Sequence, residues 1–240
     1  EPHTRWCFRA FATDSAGNPS QAFTTAMVGC TVTGFTRTAH ENLGNGGYFG
    51  HENEPVTLLI SGGKLLREAT ESLPLSGALV VDARGRAAVA PMAAVKAPYR
   101  GVDFAVQNSP MLVRGSRVCF PPPPKEPTDP EQDRFRRTAA GVDFAGRVVF
   151  TVCDTEIGLG EWAVLLAMPE NQGGLQLRAA VNLDGGPSSG MAVNHGESGS
   201  HVKAGRTIPY VIVVDRRPEP VNPEKPPEGP EGEFVPVRPG

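Results

Sequence analysis

The chain has 240 residues, 39% of them hydrophobic and 20% charged, with 23 basic against 26 acidic side chains and a formal net charge of −3. That length buries one sizeable core or two small ones, and without a dense Lys/Arg block to neutralise a run of phosphates no nucleic-acid partner is expected. No apolar run approaches the roughly 20 residues of a membrane-spanning helix, so membrane insertion is not expected either, and a start at Glu1 without Met or leader reads as a processed chain or a fragment.

Along the chain, "RWCFRAFA", "AMVGCTVTGF", "PVTLLIS" and "PYVIVVD" are short apolar runs punctuated by Gly, Pro or Asn, which is the pattern of strands. Hairpins are expected where Ala83 to Gly85 turn within "ALVVDARGRAAVA" and where Ala145-Gly146 turn within "TAAGVDFAGRVVFTV". The pentapeptide "GVDFA" occurs at Gly101 and again at Gly141, but its flanks do not match, so it reads as coincidence rather than duplication. The proline-rich stretch Cys119 to Asp133 reads as a solvent loop between strands. One helix is expected over Glu161 to Met168, with an acidic first turn, Pro169 as its stop, and Trp162, Leu165 and Leu166 facing a sheet. From Arg216 the chain is proline-rich and reads as an extended linker, or alternatively as a docking peptide for a protein partner. The fold class expected is α+β: a large, curved, mixed or mostly antiparallel sheet with a few packed helices, one domain over residues 5–215 and a tail over 216–240. The four cysteines, Cys7, Cys30, Cys119 and Cys153, show neither C-x-x-C spacing nor a nearby His pair, so no metal or other cofactor is expected. Two disulfides and buried free thiols both stay open.

Polar chemistry concentrates in four places. In "AAVNLDGGPSSGM" a strand over Leu175 to Leu183 delivers Asp184 to its end, where Gly185 and Gly186 bare the backbone and Ser188 and Ser189 add hydroxyls. Such a segment is equally a cradle for an anion or sugar and a tight turn capped by its own Asp. Gly186, Ser188 and Gly190 satisfy G-x-S-x-G, yet "MAVNHGESGS" is strand-like where a nucleophile elbow needs a helix, which argues against a serine hydrolase. In "NLGNGGYFG", glycines including Gly46 surround Asn45 and the pair Tyr48-Phe49, which serve either to bring an amide to a ligand or to plug the core. In "RFRRTAAGVDF", Arg137 and Thr138 enter a strand, and an inward Arg needs an anionic partner. In "VVFTVCDTEIG", Asp154 and Glu156 sit where an apolar strand is expected to stop.

In order, these blocks resemble the phosphodiester glycosidase family. The resemblance rests on Asn45-Gly46-Gly47-Tyr48-Phe49, the turn near Lys64, Gln107 to Gly115, Arg137 to Gly141, Asp154, and Asn182 to Gly186 with Ser188 and Ser189, and it covers about residues 26–214. It implies an exported glycosidase, secreted or at the cell surface, that cleaves a sugar-1-phosphodiester in a glycoconjugate or surface polysaccharide. In that setting Asp184 and Asp154 are the working carboxylates, Arg137 clamps the phosphate, and Asn45, Gly46, Thr138, Gly185, Gly186, Ser188 and Ser189 bind substrate. The sequence departs from the family pattern at Pro187, in place of a third Gly, at Gly190, in place of a hydroxyl residue, and at Gly50-His51, where an Asp is usual. Those departures keep a second reading in view, a non-catalytic carbohydrate-binding or structural module of the same fold.

Overall fold

The computed structural model describes residues 5–12, 25–28, 30–32, 42–51, 54–119, 134–195, 198–206, 208 and 210–216. Most of the proline-rich loop, the tail beyond Arg216, and the side chains of Cys7 and Cys30 lie outside the described residues; Cys119 and Cys153 are free thiols.

The strands come in four runs along the chain. The first holds β1 (Arg5–Ala12), β2 (Thr25–Val28), β3 (Cys30–Val32) and β4 (Asn42–Asn45). Next are β5 (Leu59–Ser61), β6 (Lys64–Arg67), β7 (Gly77–Asp82), β8 (Ala87–Pro91) and β9 (Val102–Asn108). Then follow β10 (Met111–Arg114), β11 (Arg117–Val118), β12 (Arg134–Val142) and β13 (Val148–Gly158), leading into α1 (Leu159–Ala167). Last are β14 (Ala179–Asn182), β15 (Met191–His195), β16 (Ser198–Val202) and β17 (Tyr210–Arg216).

Among the described residues these strands form three sheets rather than the one large sheet expected, with orders β16-β15-β4-β17-β1-β2, β11-β10-β14-β12-β13-β3 and β6-β5-β9-β7-β8. All pairings are antiparallel except β13 with β3. A strongly twisted open sheet splits before it grows this wide. Here the three faces close on one core: Leu59, Leu79 and Phe104 from the third sheet, Ala140, Phe150 and Val181 from the second, Met191, Ile212 and Val214 from the first.

The second sheet is buried on both faces. Its opposite side carries α1, whose Trp162, Ala163 and Leu166 pack on Leu112, Val113, Ala139, Val149 and Ala180. Strands covered on both faces read as continuous apolar runs, which is why "VVF" at 148–150 shows no alternation. The helix begins two residues earlier than the sequence indicates, because Glu161 reaches back to accept the Gly158 amide at 3.0 Å and so caps a glycine start. The strand expected over Leu175 to Leu183 is shorter at its start. The amides of Leu175 and Leu177 bind the Leu165 and Leu166 carbonyls at 3.0 and 2.9 Å, closing the orphan end of the helix, so β14 begins only at Ala179. Both expected hairpins form, as β7–β8 and β12–β13. The two copies of "GVDFA" do opposite things: the first enters β9, the second leaves β12.

Gly141 in β12 is a point of close approach, since a Cβ there meets Leu177 Cδ1 at 2.6 Å and the Ala179 carbonyl oxygen at 2.9 Å. Gly44 in β4 has nothing within 4 Å of the same position. Urea unfolding of Gly141→Ala is expected to show a loss of about 1–3 kcal/mol from overpacking, whereas Gly44→Ala stays near the parent.

Candidate active site at the three-sheet junction

Asp184 leaves the end of β14, and its position is set from the first sheet. Asn45, the last residue of β4, is 1% exposed. Its Nδ2 donates to the Asp184 carbonyl at 2.6 Å, while its Oδ1 accepts from the Gly190 amide at 3.2 Å. Asn45's own amide donates to the Gly190 carbonyl at 3.1 Å, and the Asp184 amide to the Gly46 carbonyl at 3.4 Å. One side chain thus pins both ends of the 184–190 turn, which its own glycines and Pro187 otherwise leave to local geometry.

The third sheet joins through Ser109, just past β9. Tyr48 Oη donates to the Ser109 carbonyl at 2.5 Å, and Asn182 Nδ2 donates to the same carbonyl at 3.1 Å and to Tyr48 Oη at 3.5 Å. Arg137, on β12, is buried with its Nε donating to the Ile157 carbonyl at 3.1 Å and its guanidinium carbon 5.4 Å from the centroid of the Phe135 ring. Burial raises the Tyr48 pKa; the Asn182 bond opposes that, the Asp184 charge adds to it, and the Arg137 charge opposes it. Tyr48 therefore lies within the fields of both groups.

Burial also raises the Asp184 carboxyl above the usual range. Working against it are the Ser188 hydroxyl, the Gly185 amide and the positive charge of Arg206. The Gly185 amide reaches Asp184 Oδ1 at 2.9 Å.

The structure thus brings Asn45, Gly46, Asp184, Gly185 and Ser188 into direct contact, and Arg137 is close enough to Tyr48 for its charge to act there. Gly186 carries the turn at φ +57°. Thr138 lends its carbonyl to the Leu183 amide at 2.8 Å. The buried hydroxyls of Thr138 and Ser189, and Oδ1 of Asn182, have no hydrogen-bond partner among the described residues. Unpaired buried polar atoms are uncommon; Asn182 ends β14 and Ser189 lies in the turn that follows Asp184, while Thr138 is in the middle of the neighbouring β12.

Asp154 is different. β13 does not stop there but runs on to Gly158, and Asp154 is exposed one residue past Cys153, the partner of Arg137 across the sheet. Strand alternation turns it to the other face, and no contact among the described residues joins it to the Asp184 group.

Of the glycine amides expected to cradle an anion, that of Gly185 is turned on Asp184, while the Ser188 and Ser189 amides close the turn on the Gly185 and Gly186 carbonyls, both at 3.1 Å. With Gly185 turned on Asp184, the segment is at once a tight turn and a mount for its carboxylate. After it come β15 and β16, paired antiparallel, which leaves no helix for a nucleophile elbow.

Residues 40–215 match the family model described as NAGPA, phosphodiester glycosidase. The chain belongs to the phosphodiester glycosidase family. Among solved structures it is similar to the zebrafish N-acetylglucosamine-1-phosphodiester alpha-N-acetylglucosaminidase catalytic domain, auto-inhibited by its pro-peptide, with 18% identity over 90% of this chain and 84% of that one and a TM-score of 0.56. At that identity the likeness is one of fold. A hypothetical protein from Synechocystis matches at 13% identity over 88% of this chain and 42% of its own, with a TM-score of 0.37. No curated protein matches the chain.

Sequence reasoning named Tyr48 only as an aromatic and gave Asn182, Ser109 and Arg206 no role. Asn182 precedes Asp184 by two and so shares its strand face, a signal that period-2 alternation carries. Arg206 carries no local signal. Asn45→Ala leaves the Asp184 carbonyl and the Gly190 amide without their partner, and chemical denaturation is expected to read a loss of about 1–3 kcal/mol.

Proposed function

We propose that this protein hydrolyses a sugar-1-phosphodiester, releasing free sugar and a phosphomonoester, on a glycoconjugate or surface polysaccharide outside the cytoplasm. Family membership supports cleavage of phosphodiester-linked sugars in general. The observation that carries the finer reading is the half-buried Asp184 carboxylate, held by Ser188 and Gly185 within the field of the Arg206 guanidinium.

Cleavage breaks the bond between the anomeric carbon and the phosphate oxygen. Positive charge builds on the sugar as that bond lengthens, and the electron pair departs with the phosphate. Asp184 supplies the negative charge that stabilises the sugar and, on the same face, accepts a proton from the incoming water. The water's hydroxyl ends on the anomeric carbon, and the proton taken up by Asp184 passes on to the released phosphomonoester, which returns the carboxylate. A phosphate is a weakly basic leaving group, so it departs without a strong general acid, and one carboxylate suffices with cationic stabilisation of the leaving oxygen. Arg137 provides that charge from inside the fold, and Asn45 holds the carboxylate's backbone where the sugar must approach. Asp154 has no part in this scheme.

Asp184→Asn is expected to abolish release of sugar from N-acetylglucosamine-1-(methyl phosphate) while the fold persists; retained turnover overturns the role. Binding without turnover by the parent protein instead identifies the carbohydrate-binding module. Because burial raises the Asp184 pKa in the folded state, the sign of its stability effect is opposite to that of an ordinary paired carboxylate. Stability is lost as pH rises through the folded pKa and the buried group ionises. Thermal melts should therefore show Asp184→Asn more stable than the parent at neutral pH, with the difference closing on acidification. The kcat/KM profile of the parent should lose activity on its acid side above the pH of about 4 at which an ordinary Asp titrates.

A further inference from the structure

Two arginines sit on aromatic rings, Arg137 on Phe135 and Arg206 on Phe49, in contrasting settings. Arg137 is buried, with Nε committed to a backbone carbonyl. Arg206, in the loop between β16 and β17, is exposed; its guanidinium carbon lies 5.1 Å from the centroid of the Phe49 ring, and among the described residues it makes no hydrogen bond.

That loop is built onto the Asp184 turn. The Gly205 amide donates to the Pro187 carbonyl at 2.8 Å, and Arg136 Nη1 donates to the Lys203 carbonyl at 2.9 Å. Gly190 makes the contact close: a Cβ there meets Ala204 Cβ at 3.0 Å and its amide nitrogen at 3.1 Å. Phe49 is anchored in turn, bridged to Pro55 and packed on the main core. Stacking on a fixed ring orders a guanidinium plane while its N–H edge stays open to a ligand.

We propose that Arg206 is the residue that grips the phosphate of the substrate, a direct ligand to its non-bridging oxygens. The chemistry is specific. A phosphodiester carries one negative charge on two equivalent oxygens, and a guanidinium edge matches that pair with two parallel N–H···O bonds. Arg206 lies close enough to Asp184 for its charge to act on that carboxylate, so a phosphate held there leaves the adjoining sugar beside Asp184. Asp184 is itself occupied by Ser188 and Gly185, so the open edge of Arg206 is not drawn into an ion pair. Pro187, which deletes an amide from the turn, gives its carbonyl to this loop instead.

The inference rests on the phosphodiester reading of the site, and the two are separable by experiment. Methyl phosphate binding by titration calorimetry is measured for the parent, Arg206→Gln and Arg206→Lys, alongside kinetics on N-acetylglucosamine-1-(methyl phosphate) and binding of free N-acetylglucosamine. Arg206→Gln should weaken methyl phosphate by about tenfold or more and lower kcat/KM by at least as much, with sugar binding unchanged; Arg206→Lys, a charge without a fork, should recover only part. The inference is overturned if the parent does not bind methyl phosphate, if Arg206→Gln binds it as the parent does, or if phosphate and sugar binding fall together, which marks a structural role. Should the parent bind methyl phosphate through Arg206 yet release no sugar from the diester, the inference stands and the glycosidase reading falls.

Discussion

The junction depends on the buried amide of Asn45. A carboxamide has two donors and two acceptor lone pairs on one rigid plane, and here one donor and one acceptor are engaged at backbone points six residues apart, the Asp184 carbonyl and the Gly190 amide. Those points bracket a turn of glycine, proline and serine whose local hydrogen bonds close its middle, while the Asn45 amide ties its two ends to β4. The amide substitutes for a strand ladder exactly where β4 ends, and couples the first sheet to the second without crowding the space beside Asp184. No aliphatic residue can do this, and Asp, with acceptors alone, serves only the Gly190 end.

Around that pin the electrostatics are opposed by design of the site's composition. Burial works against a charged Asp184, while a hydroxyl, an amide and a guanidinium favour it. The balance leaves the carboxyl above its ordinary range yet tied in a fixed orientation, the condition in which a carboxylate responds strongly to a charge appearing next to it. Tyr48 senses the same field from the other side, and its hydroxyl is locked between the Ser109 carbonyl and the Asn182 amide. Such a polar cluster is stable only when its members are placed together, so the site and the meeting of the three sheets are one structural feature.

The glycines divide by purpose. Gly141 admits Leu177 and the Ala179 backbone, and Gly190 admits Ala204, so both serve close packing. Gly186 serves a left-handed turn. Gly190 stands where the family usually has a hydroxyl residue, and in this chain a side chain there presses on Ala204 of the Arg206 loop. Pro187 is likewise absorbed into the architecture, exposed and with its carbonyl accepting from Gly205.

Much was legible in the sequence. Apolar runs cut by glycine and proline specify strands and hairpins through local backbone preference, and both predicted hairpins, the helix and its sheet-facing Trp162 and Leu166 follow from that. The blocks around Asn45, Arg137 and Asp184 were likewise readable, because residue types that are costly to bury mark where a partner must exist. Three things were decided only by tertiary structure. The division into three sheets comes from twist and from a shared core, which depend on strands distant in the chain. Asp154 and Asp184 look alike in sequence, each following an apolar run, yet β13 continues past Asp154 in pairing with β12, a register that no single strand contains. Arg206 lies 22 residues beyond Asp184, and only the packing of its loop on the Pro187 turn brings the two charges together, since an exposed arginine after a glycine has no local property that distinguishes it from a solvated one.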